Sequence, residues 1–161
     1  MNVAVAISVL VTALGVTAAE GTRHGEGFSV RRVLKEAGTH TVAMTELLED
    51  LNSGRFIQVS HNVSTNIILD SKSIIRGAIK SDSDTGGRVV ELTLNQDGIR
   101  AIASAAEPAP MLIAVVLDGE VYFTARLHGP MPSGKLPIRV SASDASGERL
   151  LAKALAGKPK N

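Results

Sequence analysis

The amino-acid sequence predicts an α+β domain, an antiparallel-rich sheet with helices packed on one face. Three observations carry this expectation. Apolar and polar residues alternate at Arg88–Leu94 and over residues 121–127 and 136–140, the period of half-buried strands. Stripes with helical spacing follow two of these runs, through Ile99, Ile102, Ala103 and Ala106 and through Leu150, Leu151, Ala154 and Leu155. Between them, Asp118-Gly119 joins two apolar runs as a type I′ hairpin turn would. Helices with one apolar side bury it most economically against one face of a sheet.

Taken in order, residues 3–19 (VAVAISVLVTALGVTAA) carry no charge before Glu20 and Arg23. They suit a signal peptide of residues 1–19, or a short membrane anchor. The run is rich in Ala and Val, and the pairs Val16 and Ala18 or Thr17 and Ala19 put small residues where a signal peptidase reads. A polar, Gly-containing stretch follows at once, although no Lys or Arg precedes the run. Residues 20–27 read as a flexible lead-in, and residues 28–37 have no assignable pattern. Over residues 41–51, Met44, Leu47, Leu48 and Leu51 form an i, i+3, i+4, i+7 stripe with Glu46, Glu49 and Asp50 off it, so an amphipathic helix is expected. Asn52-Ser53-Gly54 would end that helix with a Gly C-cap. Short strands are expected at residues 56–59 and 66–69.

The second half reads more firmly. Asn95 is an N-cap candidate, because its side-chain oxygen can accept from free N–H groups of a first helical turn. Pro108 and Pro110 close the helix that it opens. Met111–Leu117 is apolar on both faces, as a covered strand is, and Val121, Phe123, Ala125 and Leu127 alternate inward on the return. Residues 129–134 hold Pro130 and Pro132 and form a loop too poor in N–H donors for a strand interior. Asp144 is placed to cap the last helix, and residues 158–161 are a basic tail.

Composition excludes more chemistry than it suggests. The 161 residues carry a net charge of +1, without the uncompensated basic clusters that nucleic-acid binding needs. Cysteine is absent, which removes disulfides, thiolate metal sites and a thiol nucleophile. Aromatic residues are Phe28, Phe56, Tyr122 and Phe123 alone, few platforms for stacking bases or sugars. His24, His40, His61 and His128 show no metal-ligand spacing and read as solvated surface groups, and no serine stands in Gly-x-Ser-x-Gly. Asp118 and Glu120, and Asp82 and Asp84, are explained by turns, and Asn62-Val63-Ser64 matches a glycosylation sequon. No cofactor or metal is expected, and the chain is not read as an enzyme.

From Ile68 to the carboxy terminus the sequence resembles the head subdomain of the first periplasmic domain of SecD and SecDF, membrane proteins of protein export. Ile68-Leu69-Asp70-Ser71-Lys72-Ser73-Ile74 resembles the family's opening segment. The run from Gly87 to Gly98 resembles its strand and helix start, and Ile113-Ala114-Val115-Val116-Leu117-Asp118-Gly119-Glu120-Val121 is close to its hairpin, the most specific piece. Residues 136–140 and Glu148-Arg149-Leu150-Leu151-Ala152 look like its last strand and helix. The family's glycine after that strand is replaced by Ser141-Ala142-Ser143, and its further base-domain sequence and six membrane helices have no counterpart here. A proton-driven motor is therefore not expected in these residues.

The resemblance implies a stand-alone head: residues 20–66 as an N-terminal extension with one helix, and residues 67–157 as the head-like domain. Its expected role is an exported, non-catalytic module, periplasmic or in the cell envelope of a bacterium, that contacts exported polypeptide or Sec-associated membrane proteins. It would meet membrane only through an uncleaved N-terminal segment. Asp118 and Gly119 are its hairpin signature. Candidate partner contacts are Gly129, Pro130, Met131 and Pro132, together with any unpaired sheet edge, where an extended peptide can add as a strand. The alternative is an envelope-associated structural or interaction protein with no Sec role. A small hydrolase ranks third.

Overall fold

The computed structural model describes residues 27–50, 55–81, 87–106, 110–129, 131, 133–140 and 144–156. The expected signal peptide or anchor, nearly all of the lead-in, His24, Asp82, Asp84, Pro108, residues 141–143 and the tail lie outside them. The described chain runs β1 (Phe28–Leu34), β2 (Thr41–Asp50), β3 (Arg55–Asp70), a 3-10 turn (Ser71–Ser73), β4 (Ile74–Ser81), β5 (Arg88–Leu94), α1 (Gln96–Ala105), β6 (Met111–Leu117), β7 (Glu120–Leu127), β8 (Lys135–Val140) and α2 (Asp144–Ala154). The class is α+β, as the sequence predicts, but the strands divide between two sheets. One is a closed barrel in the order β1-β3-β2-β7-β6, and the other is a three-stranded sheet in the order β4-β5-β8.

The expected helix over residues 41–51 is instead strand β2, paired residue for residue with β3 from Thr41↔Ser64 to Asp50↔Arg55. The two short strands expected at 56–59 and 66–69 are parts of β3, which runs unbroken across residues 66 and 67. A helical stripe of leucines did not prevail because residues 41–50 gain a full antiparallel ladder from β3, and pairing of this kind overrides local pattern. The stripe is split between faces. Met44 and Leu48 share a parity with buried Glu46, while Leu47 points the other way.

The second half follows the sequence closely. The Asn95 side chain caps α1 by accepting from the Gly98 N–H at 2.8 Å, and Ile102 and Ala106 on the predicted stripe are buried. Asp118 and Gly119 both adopt positive φ, 53° and 86°, as a type I′ turn requires. A bulge between Val115 and Val116 sets Tyr122 as the extra residue of β7. Val90, Leu92 and Leu94 on β5, with Leu136 and Ile138 on β8, face the main core. Pro137, opposite Glu91, sits on the border strand β8, where a residue without an N–H is tolerated.

β6 has two buried faces because it stands between two cores. Ile113, Val115 and Leu117 join the main core beneath α1 and α2. Ala114 and Val116 join a smaller cluster with Val63, Val121, Val33 and Met44. All five barrel strands contribute to that cluster, so it is the barrel interior.

Helix α2 packs on β4 through Gly77, where an added Cβ would clash with Leu151 Cδ1 and come within 2.9 Å of Leu92 Cδ2. Gly77→Ala must displace the partly buried Leu151 and the fully buried Leu92, and overpacking of this kind costs about 1–3 kcal/mol. Urea unfolding of the variant is expected to show a lower midpoint with an unchanged slope.

Candidate functional site: the seam of the barrel

The barrel closes where β2 meets β7, and the closure is slender. These two strands share a single parallel bridge, Glu46↔Val121, whereas every other neighbouring pair has a ladder. The Glu46 side chain supplies what the backbone does not. It is only 2% exposed; its Oε1 accepts the Thr124 N–H at 2.9 Å, and its Oε2 accepts the Thr124 hydroxyl at 3.1 Å. His61 Nε2, on the neighbouring strand β3, lies 2.7 Å from the same Oε2. A buried carboxylate is costly unless hydrogen-bonded, and three contacts satisfy this one. His61 is therefore a partly buried structural partner rather than the solvated group expected, whereas His40 and His128 are exposed.

Beside the seam lies an open groove of about 500 Å³ lined by Met44, Leu47, Gln58, Gly119, Tyr122 and Arg149, among others. Sequence reasoning missed Glu46, Thr124 and His61 because a helical reading of residues 41–51 puts Glu46 on the solvent side. The available signal was the β-branched trio Thr41, Val42 and Thr45, which favours a strand.

A second buried charge lies within the barrel strands. Arg31 is 9% exposed; its Nε donates to Ser29 Oγ at 3.1 Å, and Nη1 to the carbonyls of Ser64 and Thr65 at 3.4 and 3.1 Å. Burial lowers its pKa from the ordinary arginine value, yet guanidinium basicity keeps it cationic. Its hydrogen bonds tie β1 to the carbonyls of β3.

The hairpin signature is an attachment point. The Asp118 N–H donates to the Gly27 carbonyl at 3.0 Å, and its carboxylate takes Lys153 at 2.7 Å and Arg149 at 3.4 Å from α2. The Lys153 hydrogen bond, with help from Arg149, holds the Asp118 carboxyl below the usual aspartate range. Lys80 and Lys135 do the same for Glu91 across the small sheet. Of the candidate partner contacts, Pro130 and Pro132 lie outside the described residues. Gly129 is half-buried, and Met131 packs against the main core. The loop returns through Gly134, whose φ is 62° and whose N–H donates to the Met131 carbonyl at 3.0 Å. Among the described residues, no group of three or more His, Asp or Glu is placed to hold a metal, and no helix is long and apolar enough to cross a membrane.

With this geometry in view, the comparison with known families is decisive. The family model described as "SecDF, P1 head subdomain" matches residues 45–157. The chain belongs to that family. P1 heads are periplasmic, non-catalytic modules of the translocation component SecDF. Two solved structures share the fold. One is titled "Crystal structure of SecDF in Super-membrane-facing form" (TM-score 0.61, 15% identity), with 83% of this chain and 19% of that one covered. The other is titled "Structure and function of a membrane component SecDF that enhances protein export" (TM-score 0.56, 15% identity), with 83% and 64% covered. The chain thus spans about a fifth of the first of these SecDF chains. No curated protein matches the sequence. In this P1 head, the matched residues include the seam, the hairpin and both helices.

Glu46→Leu leaves the Thr124 N–H and hydroxyl without their acceptor in a part-buried position, a loss of about 1–2 kcal/mol. Urea unfolding and amide exchange at Thr124 are expected to show the destabilisation and the opened seam together. Asp118→Asn tests the hairpin tie. Because the folded pKa is depressed, the tie stabilises above the ordinary aspartate range and is lost as pH falls through the folded value. Thermal melts across the acid range are expected to fall less steeply for the variant than for the native chain.

Proposed function

We propose that this P1 head is an exported, non-catalytic module that contacts extended polypeptide during protein export. The observation that carries this reading is the border of the small sheet formed by β4. Strand β8, the opposite border, carries Pro137, which lacks the N–H that an added strand would pair with. β4 has no proline and pairs regularly with β5 from Arg76 to Ser81; next to that stretch Ile75, the extra residue of a bulge, is 57% exposed. An extended chain adding to β4 would gain backbone hydrogen bonds irrespective of sequence and a side-chain contact at Ile75, a mode suited to varied clients. The loop with Gly129, Pro130, Met131 and Pro132 is a second contact surface in this reading. Membership in the SecDF head family supports the export context.

Export itself rests on residues 3–19. The amino-terminal mass of the protein from its own host is expected to show removal of that segment. Retention of Met1 together with membrane fractionation would favour the envelope-anchored structural alternative.

A photo-reactive residue at Ile75 is expected to capture exported polypeptides while their translocation is arrested, and Ile75→Lys to weaken capture by charging the border. Recovery of cytosolic proteins alone would refute the proposal.

A further inference from the structure

We propose that the far end of the β2–β3 hairpin inserts into the interfacial region of a lipid bilayer. Beyond the Glu46 bridge, residues 47–50 of β2 pair only with β3, and residues 55–58 of β3 only with β2. This stretch is a two-stranded ribbon, a form with little stability of its own in water. It also carries most of the exposed large hydrophobic residues: Leu47 at 61%, Leu48 at 39%, Phe56 at 70% and Ile57 at 49%.

The register shows how they are arranged. Leu48 stands directly opposite Ile57 on one face, whereas Leu47 and Phe56, opposite Gln58 and Glu49, lie on the other. Each face therefore carries two apolar residues among its four positions, the others being Asp50 and Arg55 on one face and Glu49 and Gln58 on the other. A protein surface would cover one face and leave the other wet. Each face offers two side chains, well short of the roughly 800 Å² per partner that a stable dimer buries. A fluid apolar medium surrounds both faces at once. Charge points the same way: Glu49, Asp50 and Arg55 give the ribbon no basic excess, so hydrocarbon contact rather than anionic headgroups drives the association.

The chain outside the described residues enters at the right place. Described backbone begins at Gly27, whose carbonyl is bonded to the Asp118 N–H. Its neighbour Gly119 lines the same groove as Leu47. Residues 20–26 reach at most about 25 Å, at about 3.6 Å per residue. Were the apolar run 3–19 retained, as in the envelope-anchored alternative, it would hold the groove and ribbon close to a bilayer surface. The inference takes from the proposed function only the envelope location, and polypeptide capture at β4 can fail without affecting it.

The absence of cysteine gives a clean probe. Gln58→Cys in the full chain, labelled with an environment-sensitive fluorophore, is mixed with phosphatidylcholine vesicles, with Ser104→Cys on exposed α1 as control. The Gln58 label is expected to shift to shorter wavelength and to be quenched by brominated acyl chains, and the Ser104 label to do neither. Leu47→Ser with Ile57→Ser, both at exposed positions, is expected to abolish the quenching while circular dichroism stays native. Vesicles that float with protein while the Gln58 label stays water-like would overturn the proposal, leaving the N-terminal segment as sole anchor. A lipid-free shift that grows with protein concentration would overturn it in favour of a second copy. A shift on adding unfolded polypeptide, with none on adding vesicles, would overturn it in favour of a client site.

Discussion

A single buried carboxylate reinforces the weakest closure of the barrel. Four strand pairs of the larger sheet are held by backbone ladders, but β2 and β7 touch at one bridge, Glu46↔Val121. Glu46 replaces the missing ladder by taking the N–H and hydroxyl of Thr124 and by engaging His61. Withdrawing a carboxylate from water is unfavourable, so the residue is tolerated only where each oxygen finds a donor. The seam is thereby specified by directed hydrogen bonds in addition to the apolar cluster that Met44 and Val121 share inside the barrel. The β2–β3 pair, held on its other side by the β1–β3 ladder, is fixed on the β7 side at that point.

The second constraint is the sharing of β6 between two cores. Ala114 and Val116 fill the barrel interior, whereas Ile113, Val115 and Leu117 lie beneath the helices. Small side chains face the narrow barrel and larger ones face the wider layer. The barrel and the helix-covered sheet cannot separate without exposing one face of this strand. Asp118 reinforces the junction at the end of β6, joining the hairpin to α2 through Lys153 and Arg149 and to the start of β1 through the Gly27 carbonyl.

The sequence made the second half of the fold legible because its determinants are local. Asn95 needs only the next three residues to cap α1, Asp118-Gly119 needs only its own backbone to turn, and alternation in β5 and β8 matches a sheet with one covered face. The first half was misread for the complementary reason. Whether residues 41–50 become helix or strand depends on β3, which lies outside the segment. The spacing of Met44, Leu47 and Leu48 fits the helical period and not the strand period, so the segment is taken as helical; Glu46 then becomes a solvent-facing charge, and the seam, the Thr124 contact and the role of His61 vanish together. Division into two sheets was equally out of reach, since no local signal reports that β4 and β5 pair with β8 rather than with the barrel. The hairpin residues were found, but their ion pairs with α2 join positions more than thirty residues apart, beyond any motif.

The proline in β8 has a consequence for assembly. A sheet grows into an open-ended polymer only if each copy offers two complementary borders, one to receive and one to donate. Here Pro137 lacks a donor on one border, while β4 keeps its donors on the other from Arg76 to Ser81, beyond the bulge at Ile75. Two copies can join border to border through β4, but a third finds nothing to extend in the small sheet. That sheet can thus keep one strand-accepting edge in water without growing into a fibril.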